Sequence, residues 1–505
     1  MTRRTGIACT LLLSMYLVPV ADAVAAMHDG VAPVAARVST ADPDFMAELT
    51  AAMDQGASGD TLGAAIVFER LLADPRLLTL DDVQRSHAWH IAALVAGEQK
   101  QEALAGQRLQ TALSINPHNT AARFMLAAGQ LADDKVAASA DNVIRGIADT
   151  EGALDLPKDL VWHLAVALKD TPATQRRLLQ GLFDHGWKSD GLEPAELWVT
   201  LATLQVEAGE QDRVSATLAR VDQPLPLVML RSDKRFDRYL ERGTPRFDPV
   251  AAAQRHIDRL RVATMLAPGI NDAAVELAYA LLIAGQSQEV IGMTQSLADY
   301  ASTAPTRPQG DEARSVGWLL ELRGRAQRQL GQNDDALATQ ILAVRMAEDS
   351  GQVDQSLGLG YLYAVLLRAA AAREAVEDLK DLTAQGESAR QLIDLIAALH
   401  LNDSAAAQRA RDALSAQRQQ AAGIYMTSLV ANNRLDDAAA TLIARLADPL
   451  ERGGALLELQ GFRMSPLLPG EVAFHARWDR FAQRADVKAA VSAVGRVERY
   501  ALYNE

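Results

Sequence analysis

The chain has 505 residues and a formal net charge of −14. That length exceeds what one hydrophobic core usually serves, so several domains or one long repeat array is expected. The acidic balance, without a run of basic residues, argues against nucleic acid, whose phosphates need a concentrated Lys/Arg surface.

At the N-terminus, Arg3 and Arg4 precede an apolar stretch from Ile7 to Val20, followed by Ala21, Ala23, Ala25 and Ala26. This order of charge, apolar core and small residues predicts a secretory signal peptide over 1–25, cut after Ala23 or Ala25, and a periplasmic location. The apolar stretch is shorter than the roughly 20 residues of a membrane span, so no stable transmembrane segment is expected after processing. Cys9, the single cysteine, lies within it. The processed chain is therefore expected to carry no disulfide, thiolate metal or thiol nucleophile.

Residues 26–41 show no periodicity and read as a flexible lead-in. Residues 42–221 read as helix pairs, most clearly from Ser86 to Asn119. There Trp89, Ala92, Ala93 and Ala96 mark a first helix, Ala105, Leu109 and Ala112 a second, and Pro117 closes the unit. Small residues at crossings let two backbones approach, and Pro stops the second helix. Trp89 is expected to fill a core site between the pair. The stretch 222–249, with its prolines and mixed charges, reads as a linker or insertion. Pairs resume over 250–447, with turns expected at Gly285 and Gly331. Ala336 and Ala375 are taken as equivalent positions, 39 residues apart. Residues 448–505 read as a helical cap, with Trp478, Phe481 and Val487 covering the end of the stack. No segment shows strand alternation. The expected fold is all-α: an α-solenoid of helix pairs forming a superhelix, with a helical C-terminal cap.

The layout resembles the tetratricopeptide repeat (TPR) family, whose unit is about 34 residues. Its positions are filled here by Trp89, Ala92, Ala93, Ala96, Ala105, Leu109, Ala112 and Pro117. A poorer match runs through Leu320, Gly324, Gln327, Ala336, Gln340 and Val344. Met426, Leu429, Ala438, Leu442 and Arg445 fill the positions in a third unit. The resemblance implies a right-handed superhelix whose concave face, built mostly by first helices, binds peptides or protein partners, and it implies no catalysis. The plan also resembles exported repeat proteins of Gram-negative bacteria that serve cell-envelope complexes.

Catalytic and metal motifs are sparse. Of the nine histidines, only His87 and His90 share a helix face at close spacing, and no third ligand stands at a metal-site interval. Gly181, Gly186 and Lys188 only mimic a phosphate loop, since Trp187 interrupts it. The pairs Asp81 and Asp82, Asp133 and Asp134, and Asp334 and Asp335 sit where turns or helix starts favour carboxylates. No catalytic, cofactor or metal residue is assigned. The favoured reading is a non-enzymatic periplasmic adaptor for a protein or peptide, serving envelope biogenesis, secretion or exopolysaccharide export. The alternative is a cell-wall or glycan hydrolase with an atypical carboxylate site. Arg85, His87, His90 and Arg123, on successive first helices, are expected to form an exposed positive patch for an acidic partner segment. Gln130, Glu196, Gln205, Arg314, Arg323, Gln327, Tyr361 and Arg368 are further groove candidates.

Overall fold

The structure, a computed structural model, describes residues 42–304, 306–350, 353–380 and 382–504. The expected signal peptide, Cys9 and the lead-in lie outside the described residues. The described chain divides into two compact units, 42–208 and 209–504.

The first unit stacks helix pairs: α1 (Pro43–Ala57) on α2 (Thr61–Ala73), α3 (Asp82–Glu98) on α4 (Glu102–Ile115), and α5 (Thr120–Ala132) on α6 (Val136–Asp149). Helices α7 (Lys158–Ala167), α8 (Pro172–Asp184) and α9 (Ala195–Glu207) follow. Phe45, Phe68 and Leu71 are fully buried against Ala88 and Ala92 of the next pair. Trp198 is fully buried, with Phe183 edge-on at 5.3 Å and its indole N–H donating to Glu193 at 2.9 Å. Trp89 is only half-buried, packed on the outside of the Ala93, Leu109 and Met125 cluster. The crossing itself is filled by alanines, which leave no room for an indole.

The second unit begins with α10 (Gln211–Leu218) and α11 (Pro224–Ser232). Its array then runs through α12 (Pro249–Leu266), α13 (Asp272–Ile283), α14 (Ser287–Met293) and α15 (Gln295–Thr303). Four pairs follow: α16 (Gly310–Gln329) with α17 (Asn333–Ala347), α18 (Asp354–Val365) with α19 (Ala369–Glu377), α20 (Ala384–His400) with α21 (Ser404–Ala416), and α22 (Ala422–Ala431) with α23 (Leu435–Ala447). The last stretch holds α24 (Arg452–Leu457), β1 (Gly461–Arg463), α25 (Pro469–Ala482), α26 (Ala485–Val494) and β2 (Arg499–Tyr503). As expected, Trp478, Phe481 and Val487 are buried against Met426, Leu442 and Leu446 of the last pair. The fold is all-α in its architecture, a TPR-like array of helix pairs with a C-terminal cap of helices and two short strands. The strands β1 and β2 pair in parallel. They escape a search for alternation because β1 is three residues long.

One local solution repeats along both units. Between the helices of a pair stands a residue with left-handed backbone: Gly59, Lys100 and Asp134 in the first unit, and Gly285, Gly331, Leu367, Asn402 and Asn433 in the second. The amide after it reaches back to the carbonyl five residues earlier, as in Gln101 to Ala96 and Arg434 to Leu429, which closes the first helix in a Schellman turn. Each such residue is followed, five positions on, by a buried and mostly small one: Ala64, Ala105 and Ser139, then Val290, Ala336, Ala372, Ala407 and Ala438. The opposing residue, seven positions before the turn, is Ala or Gly in all but the last two pairs. At Gly360 an added Cβ would lie 2.6 Å from a Val376 methyl and 3.2 Å from the Ala372 carbonyl. This register corrects the equivalence drawn from spacing: the counterpart of Ala336 is Ala372, while Ala375 is half-buried one turn further along.

Candidate binding groove

The expected N-terminal patch is not an exposed positive surface. His90 is 5% exposed and neither ring nitrogen has a hydrogen-bond partner. Burial and the neighbouring His87, at 6.0 Å between rings, push its pKa down to about 4. Arg123 is also buried; it donates to the Pro117 carbonyl and to Asn142, and lies 4.0 Å from Asp149. Arg85 pairs with Asp82 on its own helix. His87 is half-buried, its pKa lowered by burial. Position on a first helix is insufficient here, because α3 and α5 are enclosed on more than one side and turn these side chains into seams. Gln205 is fully buried and donates to Gln180, and Arg323 donates to the Ile291 carbonyl at 2.6 Å. Gln327 is buried as well, whereas Arg368 is exposed.

The carboxylate pairs are occupied by local structure. Asp81 caps α3 in a capping box with Gln84, Asp134 is the left-handed turn residue after α5, and Asp334 and Asp335 lie in the first turn of α17. Among the described residues, no group of three or more His, Cys, Asp or Glu is gathered for a metal ion.

A concave site does form in the second unit. Helices α16, α18, α20 and α22 each present one face to a common cavity of about 440 Å³. On α16 the lining residues are Glu321, Gly324, Arg325 and Arg328, the three- and four-residue spacing of a single helix stripe. Gly358, Tyr361, Leu362 and Val365 continue the wall on α18, then Leu392, Ile396, Leu399 and His400 on α20, and Thr427 and Ala431 on α22. Of the groove candidates read from sequence, Tyr361 is the one that lines it.

The opposite wall is the chain's own segment 464–477, which crosses the array beside the turns between paired helices. Leu468 is 1% exposed among Leu337, Leu359, Leu362 and Val365. An added Cβ at Gly470 would stand 2.8 Å from the Val365 carbonyl oxygen, so only glycine permits this approach. Glu471 accepts from the Leu468 amide at 2.8 Å and pairs with Arg328 at 3.1 Å. Further on, Arg477 donates to the Ala431 carbonyl and Arg480 to Asn433. The residues of this strap were not singled out from sequence. Their partners are far away along the chain, and a glycine or glutamate in a short helix carries no local mark of such a role.

The cavity floor is polar at one end. Glu321 is 2% exposed; one carboxylate oxygen meets Arg325 and the other, Oε2, has no hydrogen-bond partner. Asp354, at the start of α18, is buried nearby with its Oδ1 unpartnered. Burial first, then repulsion from Glu321, push its pKa up to about 7 against the pull of Arg325. Gln340 donates to the Gln355 carbonyl at 3.0 Å. The histidines at the far end, His400 and His475, have pKa values lowered chiefly by burial, which favours neutral rings.

No protein-family model matches the chain, and no curated protein does. Among solved structures it is similar to the APC/C hetero-tetramer Cut9–Hcn1, at 12% identity over 87% of this chain and 94% of that one, with a TM-score of 0.27. It is also similar to Naa15/Naa10 bound to HypK-THB, at 15% identity over 89% of this chain and 74% of that one, with a TM-score of 0.23. The TPR-like character of the fold rests on the repeated turn and seam described above.

Proposed function

We propose that this chain is a non-catalytic adaptor that binds a protein or peptide partner on its TPR-like array, exported to the periplasm to serve a cell-envelope complex. The observation that carries the binding reading is the groove over α16, α18, α20 and α22. It already holds a polypeptide, the chain's own 464–477, by apolar burial of Leu468 and the Glu471–Arg328 pair. The same combination of apolar pockets and charged side chains suits a partner segment. Export is supported by the order of Arg3, Arg4, the apolar Ile7–Val20 stretch and the alanines that follow. Among the described residues, no helix is long and apolar enough to cross a membrane.

Two measurements test the reading. Mass spectrometry of the N-terminus of the protein purified from cells should show cleavage after Ala23 or Ala25, and an intact Met1 would remove the periplasmic assignment. A photo-crosslinking residue at Thr427, in the groove, should capture a reproducible protein in intact cells that the same residue at exposed Leu62 does not. Identical adducts from both positions, or none from Thr427, would set the groove aside as the docking surface.

A further inference from the structure

We propose that the cavity between the α16–α22 faces and the 464–477 strap binds a free amphipathic acid, a single carboxylate on an apolar body. The head is received by Arg477, Asn432 and Asn433, and the body lies along Tyr361, Ile396, Leu399 and Phe474. The inference needs no protein partner and so does not rest on the adaptor reading.

The first observation is the space. Its volume of about 440 Å³ lies within the ~300–1,000 Å³ of small-molecule sites. At the end away from Glu321, three helices each turn one face to it: Ile396, Leu399 and His400 on α20, Thr427 and Ala431 on α22, and Phe474 and Arg477 on α25. Tyr361, Ile396, Leu399 and Phe474 are only half-buried, so an apolar body laid along them removes further apolar surface from water.

The second is charge. Of the acids in the lining, Glu321 pairs with Arg325 and Glu471 with Arg328. Arg477 is the remaining guanidinium, and its hydrogen bond goes to the Ala431 carbonyl, with no carboxylate among the described residues paired to it. That bond also offsets the negative C-terminal end of α22, which would otherwise repel an anion. Asp354 lies outside the lining. One positive charge is left unmatched, and a singly charged anion balances it.

The third is the donor geometry. With Arg477 Nη1 on Ala431, Nε and Nη2 are neither paired nor sealed within protein. These two N–H groups form the fork that grips a carboxylate through parallel bonds. The next two residues after Ala431 add donors. Asn432 Oδ1 accepts from Arg411 at 3.3 Å, and Asn433 Oδ1 accepts from Arg480 at 3.2 Å. A guanidinium only donates, so these bonds fix the amide oxygens and leave both NH2 groups to donate. Asn433 is exposed, which puts the head at the mouth of the cavity.

The test is titration calorimetry of the full chain at neutral pH with octanoate, octanol and octylammonium, which share a body and differ in the head. Octanoate should bind at least tenfold tighter than either of the others. Arg477→Met should reduce octanoate affinity at least tenfold and leave octanol affinity and the thermal midpoint near wild type. Equal affinity for all three ligands, or unchanged octanoate affinity in Arg477→Met, would overturn the proposal. If Arg477→Met also loses octanol or fails to fold, Asn432→Asp decides. It keeps an oxygen for Arg411 but sets a carboxylate beside the fork, so octanoate affinity should fall at least tenfold with octanol unchanged; retained octanoate binding would overturn the proposal equally. An acetylated tripeptide, Gly-Gly-Leu with a free C-terminus, forms a further arm. Tighter binding of this peptide than of octanoate would assign the head site to a partner's chain end and overturn the free acid. Partner capture from Thr427 without octanoate binding would leave the adaptor reading standing and remove this site alone, whereas octanoate binding without capture would do the reverse.

Discussion

Single buried side chains respond to pH in opposite directions, according to whether burial disfavours a cation or an anion. His90 has a folded-state pKa near 4 against an ordinary value of 6.5. The unfolded chain therefore takes up the proton first as pH falls, so the contribution of neutral His90 is whole above about 6.5 and is lost towards 4. The loss amounts to about 3 kcal/mol. His256, pushed to about 4 by burial and by Arg259, adds a change of the same sign in the second unit. Asp354 behaves oppositely, since its folded value near 7 lies above the ordinary 3.8. The unfolded chain releases that proton first as pH rises, so stability from the neutral acid is full below about 3.8 and lost towards 7. Asp354→Asn should thus stabilise the second unit by about 4 kcal/mol at pH 8 and change little at pH 4. His90→Leu should flatten the acid limb of the first unit. Denaturant midpoints across the pH range check both variants. Trp198 and Trp89 make a second residue-scale contrast. Emptying the fully buried Trp198 site by Trp198→Ala should cost about 3–5 kcal/mol. Trp89→Ala should cost about 1–2 kcal/mol, because the indole is half in water and loses less contact area.

At the scale of the element, the repeat is governed by a left-handed turn residue and by the small residues that face each other on either side of it. Leu367 occupies the turn between α18 and α19 with φ +61° and is half exposed. A leucine in this region is strained by about 1–2 kcal/mol, and glycine gives part of that back in chain entropy. Leu367→Gly should therefore stabilise by about 0.5–1 kcal/mol. Seven residues earlier the direction reverses. Gly360→Val drives a branched side chain into Val376 and the Ala372 carbonyl and should cost about 2–3 kcal/mol. Thermal unfolding of the two single variants should show midpoints moving in opposite directions.

The same grammar explains what could be read from sequence. In α3 and α4 the small residues Ala93 and Ala105 stand where the pattern needs them and Pro117 closes the unit, so the pair is legible. Between α18 and α19 a leucine stands in the turn in place of glycine, and two of several nearby alanines fit the spacing. The pattern there selected Ala375 where packing selects Ala372. The groove was half legible. Tyr361 follows from helix periodicity, but Glu321 and Arg325, which were not singled out, carry no local mark that separates them from a solvent-facing i,i+4 pair; only the burial of α16 on several sides does that. Arg123 failed for the complementary reason, being a long polar side chain whose backbone partners are invisible in sequence.

At the scale of the whole second unit, residues 222–249 and 495–504 are joined to each other. Arg231 and Arg242 both reach Glu498, the latter at 2.6 Å, and Glu498 also accepts from Tyr500 at 2.7 Å. Arg496 pairs with Asp237 and donates to the Arg231 carbonyl. Asp222 holds Arg246, Arg255 and Arg259 together beside this latch. Leu502 and Phe462 are buried with Leu225, Val228 and Ile283, which gives the latch an apolar base. The alternating charges of 222–249 are thus spent on contacts within the unit. An open solenoid transmits a terminal deletion only to its neighbouring repeat, because each repeat touches only the next. Here the last strand contacts α12 and α13, more than 200 positions earlier in the sequence. Removing residues 495–505 should accordingly lower amide protection in α11, α12 and α13, with α20 and α21 changed less. Hydrogen exchange followed by mass spectrometry resolves the two patterns. Loss confined to α23 and α26 would show that the tail acts only as an end cap, and loss at α11–α13 would show that it couples the two ends of the unit. Glu498→Gln is the milder version. It leaves the strand in place but withdraws the charge from two part-buried arginines, so it should reproduce the direction of the exchange change at smaller amplitude. Raised salt should mute the difference only in part, since the pair is sheltered from solvent ions.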